Sequence, residues 1–217
     1  MWIKICGIKE VETARQVARA GASAIGLNFF EKSKRAVNLD QASEIAAAVR
    51  GELDLVGLFV NHSRDDVFEI AREVELDWIQ LHGDESVEFL RELQSELPNV
   101  RLMKAFRIGA DGFAGMARFL EECVTSNVTL SACLIDAAVA GEYGGTGHVA
   151  PWQLICEEYD RKNWPPLVLA GGITPDNVRE AIETVKPWGV DTASGVESAP
   201  GVKDHQLIVE FVAAATN

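Results

Sequence analysis

The sequence has no apolar run approaching the roughly 18 residues needed to cross a bilayer. Its opening, MWIKICGIKE, shows no basic segment followed by a long apolar stretch and a small-residue cleavage site. Neither a membrane span nor a secretory leader is expected, and the cytoplasm is the expected compartment. Cys6, Cys123, Cys133 and Cys156 form no C-x-x-C pair and no metal-like spacing with the four histidines, so the plain reading is reduced thiols without a metal. Basic charge is also scarce. Twenty Lys and Arg against 33 Asp and Glu leave a formal charge of −13, which opposes non-specific binding to nucleic acid or anionic membrane. An anionic ligand would need a locally positive site against this background.

What remains is ordinary globular usage, 217 residues with 47 % apolar and 24 % charged. Short apolar runs at 2–6, 24–29, 55–60, 78–82, 100–106, 132–136, 166–171 and 189–194 predict eight strands. Segments with apolar positions three and four apart lie between them and predict helices. Gly21 and Gly51 are expected as C-caps, Asp40, Ser63 and Thr174 near N-termini, and Pro175 at a first helical position. No Pro/Ser-rich linker divides the chain, so residues 1–217 are read as one domain. Eight strand-helix units predict an α/β fold, a (β/α)8 TIM barrel of small size. The alternative, an open doubly wound sheet, lacks a G-x-G-x-x-G after the first strand. The long glycine-rich connection at 137–149 is a candidate mobile loop.

Strand side chains alternate between faces. The expected interior set places Lys4 with Cys6, Gln80 with His82, Lys104 with Phe106, Leu134 with Asp136, and Asp191 with Ala193. Ile79, Leu81, Met103, Ala105, Cys133 and Ile135 would then face outward. Lys4, Lys104, Asp136 and Asp191 together give an interior of zero formal charge. Buried charges need partners, and the first and last strands of a closed barrel are neighbours, so Lys4 is expected to pair with Asp191.

Barrel chemistry lies at the C-terminal strand ends, with phosphate often held after strands seven and eight. Gly171 and Gly172 follow the seventh run and Ser194 and Gly195 the eighth, where backbone N–H groups could hold a phosphate; ordinary glycine turns are the alternative. Cys6 ends the first strand, either as an inert core thiol or as a nucleophile or base needing thiolate character. Asp136 ends ACLID, as a site carboxylate or as a partner of Lys104 or a helix N-terminus. His82 ends the fourth strand as a site or a satisfied core histidine. Arg35 follows the second, where its planar guanidinium could grip a carboxylate or simply be solvated.

Taken together, KICGI, GLNFFEKSKR, VGLFVN, IQLHGDE, LIDA followed by YGGTG, LAGGITPDNV and VDTASGVE…PGVKD closely resemble the phosphoribosylanthranilate isomerase family of tryptophan biosynthesis, in family order across the whole chain. The resemblance implies an Amadori rearrangement of N-(5′-phosphoribosyl)anthranilate to 1-(2-carboxyphenylamino)-1-deoxyribulose 5-phosphate. It implies no metal, nucleotide or redox cofactor, a small phosphorylated substrate, no nucleic-acid or membrane partner, and a monomer or homodimer. The family's general base falls on Cys6 and its general acid on Asp136. The carboxylate-binding arginine falls on Arg35, and phosphate contacts fall on Gly171, Gly172, Ser194 and Gly195, with Gly145 in the glycine-rich loop. His82 occupies a familiar family position with no definite role. Glu31 stands where proline is expected in many relatives, placing an acid beside the proposed anion site. Rival readings are another phosphosugar barrel, such as indole-glycerol-phosphate synthase or a histidine-pathway isomerase, and a non-catalytic phosphometabolite-binding barrel. No lysine–glutamate site and no set of His and Asp ligands at several strand ends is evident, which disfavours the synthase and a sugar-phosphate epimerase; the Cys6/Asp136 combination disfavours the histidine-pathway isomerase, and the full set of candidate groups disfavours the binding barrel.

Overall fold

The computed structural model describes residues 1–108, 112–137 and 152–216. Strands and helices alternate as β1 (Trp2–Cys6), α1 (Val11–Ala20), β2 (Ala24–Asn28), α2 (Leu39–Val49), β3 (Asp54–Phe59), α3 (Arg64–Glu73), β4 (Trp78–Leu81) and α4 (Val87–Glu96). They continue as β5 (Arg101–Ile108), α5 (Ala114–Thr125), β6 (Ala132–Ala137), α6 (Trp152–Glu158), β7 (Leu167–Leu169), α7 (Val178–Val185) and β8 (Gly189–Thr192). A two-stranded ribbon, β9 (Glu197–Ala199) with β10 (Val202–Lys203), precedes the last helix, α8 (His205–Thr216). β1 to β8 form a closed parallel barrel in sequence order, as expected. The glycine-rich connection, Gly145 included, lies outside the described residues.

Local signals set most boundaries. Gly21 ends α1 in the left-handed conformation at φ 85°, where its N–H satisfies carbonyls of the last turn. Ser63 caps α3 by accepting from the Asp66 N–H. Asn38 begins α2 in a reciprocal capping box with Gln41, leaving Asp40 in the first turn. Gly51 keeps a positive φ but sits one residue past the C-cap, Arg50. Pro175 is not the first residue of α7. The helix begins at Val178 because Asn177 folds back, its Oδ1 accepting from the Thr174 N–H at 2.8 Å and its Nδ2 donating to the Gly172 carbonyl at 3.0 Å.

Two apolar layers hold the barrel. Outside, Ile3, Ile5, Leu27, Ile79, Leu81 and Ile135 pack against helix residues including Val17, Ile45, Val67 and Leu90; each such side chain fully buried is worth about 1.5–3 kcal/mol. Inside, Trp2, Ala24, Val56, Trp78, Met103, Ala105, Leu134 and Val168 fill the barrel. Met103 and Ala105 therefore face inward, reversing the expected parity of β5. Gln80 on β4 stands opposite Met103, and Arg107 on β5 stands opposite Asp136 on β6. The inward cation of β5 is Arg107 rather than Lys104, which leaves the formal sum of the four groups at zero. Lys104 instead bonds the Gly83 carbonyl at 2.7 Å and Glu85 at 3.1 Å, under the loop after β4.

At closure, Lys4 stands beside Asp191 and its Nζ donates to Asp191 Oδ1 at 2.7 Å, the expected pair. Burial pulls the Lys4 amine down, but Asp191 and Cys6 outweigh it, and its pKa ends above the ordinary value. The opposite, N-terminal end is filled by Trp2, Trp78 and Trp188, whose ring centroids are 5.2 to 6.2 Å apart. Asp54 accepts from both the Trp2 and Trp78 indole N–H groups and from Arg101.

Candidate active site

A cleft opens at the C-terminal ends of the strands. Cys6, Arg35, His82, Asp136, Gly171, Gly172, Ser194 and Gly195 all line it, so the structure brings together every predicted site residue it describes. Asn28, Ser33, Gln80 and Thr192 also line it and were not singled out from the sequence as binding residues.

Cys6 is buried at the end of β1. Gly26 on the neighbouring strand makes its room: a methyl group there would lie 2.6 Å from Cys6 Sγ and 3.1 Å from Lys4 Cε. Burial pushes the Cys6 thiol up, the Lys4 ammonium pulls it down, Asp191 pushes it up again and Lys203 pulls it down. The net displacement is upward, so the resting group is a thiol.

Arg35 already grips a carboxylate. Its Nε and Nη2 donate to the two oxygens of Glu197 at 2.7 and 2.8 Å, a two-pronged bond that fixes the plane of the guanidinium. Its aliphatic stem occupies the space above Gly7, where an added methyl would lie 2.6 Å from Arg35 Cδ. Gly7 has φ 80°, so a side chain there would also strain the backbone. Glu197 further accepts from Lys203 Nζ at 2.8 Å and from the Gly201 N–H at 3.1 Å. Burial alone would push this carboxyl up; Arg35, Lys203 and the Gly201 N–H outweigh it and hold it at about 2. Burial depresses the Lys203 amine, with Glu197 opposing. Glu197 and Lys203 escaped the sequence reading because they lie on a short ribbon inside a stretch that reads as loop, 162 and 168 residues from Arg35 in a chain of no obvious pairing signal.

Asp136 is the penultimate residue of β6, three strands round the barrel from β1. Its Oδ2 lies 3.4 Å from His82 Nε2, within ion-pair reach but outside hydrogen-bond alignment. Gln80 meets the other ring nitrogen, Nδ1, at 3.1 Å, and Arg107 Nη2 donates to the His82 carbonyl at 3.3 Å. The expected alternative partner, Lys104, faces the helices and belongs to Glu85 instead.

The two glycine turns are built as one unit. Gly171 and Gly172 have φ 81° and 69°, values costly for residues with a Cβ. Thr192 Oγ1 donates to the Ile173 carbonyl at 2.7 Å, tying the turn after β7 to the end of β8. A methyl on Gly195 would meet that same carbonyl oxygen at 2.0 Å, so only glycine permits this approach. Ser194, Gly195 and Val196 form a single 3-10 turn there. Among the described residues no helix is long and apolar enough to cross a membrane.

Comparison with known proteins agrees with this geometry. The family model for N-(5′-phosphoribosyl)anthranilate isomerase matches residues 3–214. An N-(5′-phosphoribosyl)anthranilate isomerase of Geobacter sulfurreducens is 41 % identical over 213 residues, covering 98 % of this chain and 97 % of its own. The crystal structure of phosphoribosyl anthranilate isomerase from Thermotoga maritima superposes with a TM-score of 0.86 at 33 % identity, covering 100 % of this chain and 98 % of that one. A phosphoribosyl anthranilate isomerase in complex with reduced 1-(o-carboxyphenylamino)-1-deoxyribulose 5-phosphate matches at 0.83, also at 33 % identity and with the same coverage. Fold, cleft and similarity along the full length converge, and this chain belongs to the N-(5′-phosphoribosyl)anthranilate isomerase family.

Proposed function

We propose that this chain converts N-(5′-phosphoribosyl)anthranilate to 1-(2-carboxyphenylamino)-1-deoxyribulose 5-phosphate, with Asp136 as general acid and Cys6 as general base. The observation that carries this reading is that Cys6 from β1 and Asp136 from β6 open into one cleft that also holds Arg35 and the two glycine turns. An aldose-to-ketose rearrangement needs an acid and a base on different sides of one sugar. Asp136 gives a proton to the ribose ring oxygen as the C1′–O bond breaks, and the anilino nitrogen supplies the electron pair that forms the C1′=N iminium. The iminium acidifies the C2′ proton, which the Cys6 thiolate removes. The enolamine so formed takes a proton at C1′ and gives up the proton on O2′, becoming the ketone with no net change in composition.

The substrate carries two anionic ends, and two parts of the cleft suit them. Backbone N–H groups around Gly171, Gly172, Ser194 and Gly195 take the phosphate. Arg35 takes the anthranilate carboxylate with the donors Glu197 leaves over, Nη1 and one Nη2 hydrogen. His82, held by Gln80, steadies Asp136, and Gly145 is assigned to the loop beside the phosphate. Glu31 is exposed and does not line the cleft, so its carboxylate leaves the Arg35 pocket intact. The reaction is placed in the cytoplasm, on a monomer or homodimer and without a cofactor. Replacing Cys6 with Ala and Asp136 with Asn tests the assignment: each variant is expected to keep the fold and lose nearly all turnover. Near-wild-type activity in either would overturn its role.

A further inference from the structure

We propose that Lys203 is a positioning residue for the Cys6 thiolate, its buried ammonium forming with Lys4 a two-lysine cradle whose net positive charge holds the ionised base. The inference rests on the reading of Cys6 as general base and names the groups that favour its ionised form against burial.

The fold brings two buried lysines to the neighbourhood of Cys6. Lys4 lies two residues before Cys6 on the same face of β1 and is fully buried, and its Cε and the Cys6 sulfur crowd the same point above Gly26. Lys203 comes from β10, far away in sequence; its side chain is 3 % exposed and its Nζ is fixed by the Ala193 carbonyl at 2.7 Å and Glu197 at 2.8 Å. Ala193 packs directly on the cluster that contains Cys6.

Charge count distinguishes the two lysines. Lys4 has Asp191 to itself, a neutral pair. Glu197 serves two cations, Arg35 and Lys203, so that trio carries one uncompensated positive charge. Lys4, Asp191, Arg35, Glu197 and Lys203 thus sum to +1, and a thiolate at Cys6 brings the cluster to zero. His82 from β4 and Asp136 from β6 face the same cleft from its far side. Burial still favours the thiol, in agreement with the raised pKa, and Lys4 and Lys203 are the groups that pull it back. A charge removed from a dry site of this kind is felt strongly because little water screens it.

The test is the pH dependence of Cys6 alkylation by iodoacetamide in the full-length protein, followed by mass spectrometry of the Cys6 peptide. Cys123 and Cys133 are buried, with thiols pushed up to about 11 and about 12, and with Cys156 they lie more than a hundred residues from Cys6, so the Cys6 peptide is read apart from them. Lys203→Met is expected to raise the alkylation midpoint by about one pH unit, a roughly tenfold slower reaction at neutral pH; Lys203→Arg restores it. Glu197→Gln is expected to move the midpoint the other way, since it removes the opposing charge. Should Lys203→Met fail to fold, the sign of the Glu197→Gln shift decides the matter. In turnover, Lys203→Met lowers kcat and shifts its ascending pH limb upward in parallel with alkylation. A folded Lys203→Met protein with an unmoved midpoint, or a Glu197→Gln midpoint that does not fall, overturns the proposal. Full activity in Cys6→Ala would instead overturn the role of Cys6 while leaving the electrostatic result standing.

Discussion

The two ends of the barrel solve burial in opposite ways. At the N-terminal end three tryptophans close the interior, and the polar atoms they bring are answered: both indole N–H groups of Trp2 and Trp78 reach Asp54, whose other oxygen takes Arg101. Arg101 also lies 4.3 Å above the Trp78 ring. At the C-terminal end the interior gives way to a cleft, the strand ends carry Cys6, His82 and Asp136, and Gln80 Oε1 and His82 Nε2 are buried without an aligned hydrogen bond among the described residues. Packed aromatic rings fill one end, and the candidate catalytic groups stand at the other.

Substitutions at each end should therefore separate activity from stability. The largest effect is expected at the open end: Cys6→Ala and Asp136→Asn each lower kcat by about a thousandfold or more, with a thermal midpoint within a few degrees of the parent by circular dichroism. Trp78→Ala at the closed end should do the reverse, destabilising by about 3–5 kcal/mol in urea titration while kcat below the melting range stays within about twofold. A Trp78→Ala protein that is stable but inactive would break the division between the ends.

Glu197 tests whether the open end contributes any stability of its own. Its carboxyl is held at about 2 in the folded protein against an ordinary 4.5. A depressed carboxyl stabilises the fold above its unfolded value, and that contribution fades as pH falls from about 4.5 toward 2. The expected loss over this window is on the order of 3 kcal/mol, and Glu197→Gln should flatten the acid side of the stability profile measured by urea unfolding. An unchanged acid profile would mean that Arg35 and Lys203 do not hold the carboxylate in solution. The smallest effect on turnover is that of Arg35→Ala, expected to raise KM by about tenfold with kcat less affected; the thermal midpoint should fall too, because the buried Glu197 carboxylate loses its two-pronged partner. An unchanged KM would remove Arg35 from the binding site.

The sequence showed the architecture well because each barrel unit repeats the same local rules, and strand β1 falls where its apolar run predicts. The Lys4–Asp191 pair was readable because closure makes β1 and β8 neighbours whatever the details. Strand β5 was misread for a definite reason. In RLMKAFRI apolar residues occupy both faces, as they must in a barrel strand covered inside and out, so alternation alone cannot say which way Lys104 points. The register against Gln80 and Asp136 decides it. The same limit hid Glu197 and Lys203. Their importance comes from where β9 and β10 fold back over the cleft, a tertiary fact with no local signature, although both residues stood inside motifs that marked the family.

The proposed isomerisation of phosphoribosylanthranilate at the open end of the barrel depends on Cys6 and Asp136. The most direct measurement follows the fluorescence of freshly made N-(5′-phosphoribosyl)anthranilate after addition of the protein and of its Cys6→Ala and Asp136→Asn variants. Rapid enzyme-dependent loss of signal is expected with the parent protein and almost none with either variant. No loss with the parent, or equal loss with all three, would contradict it.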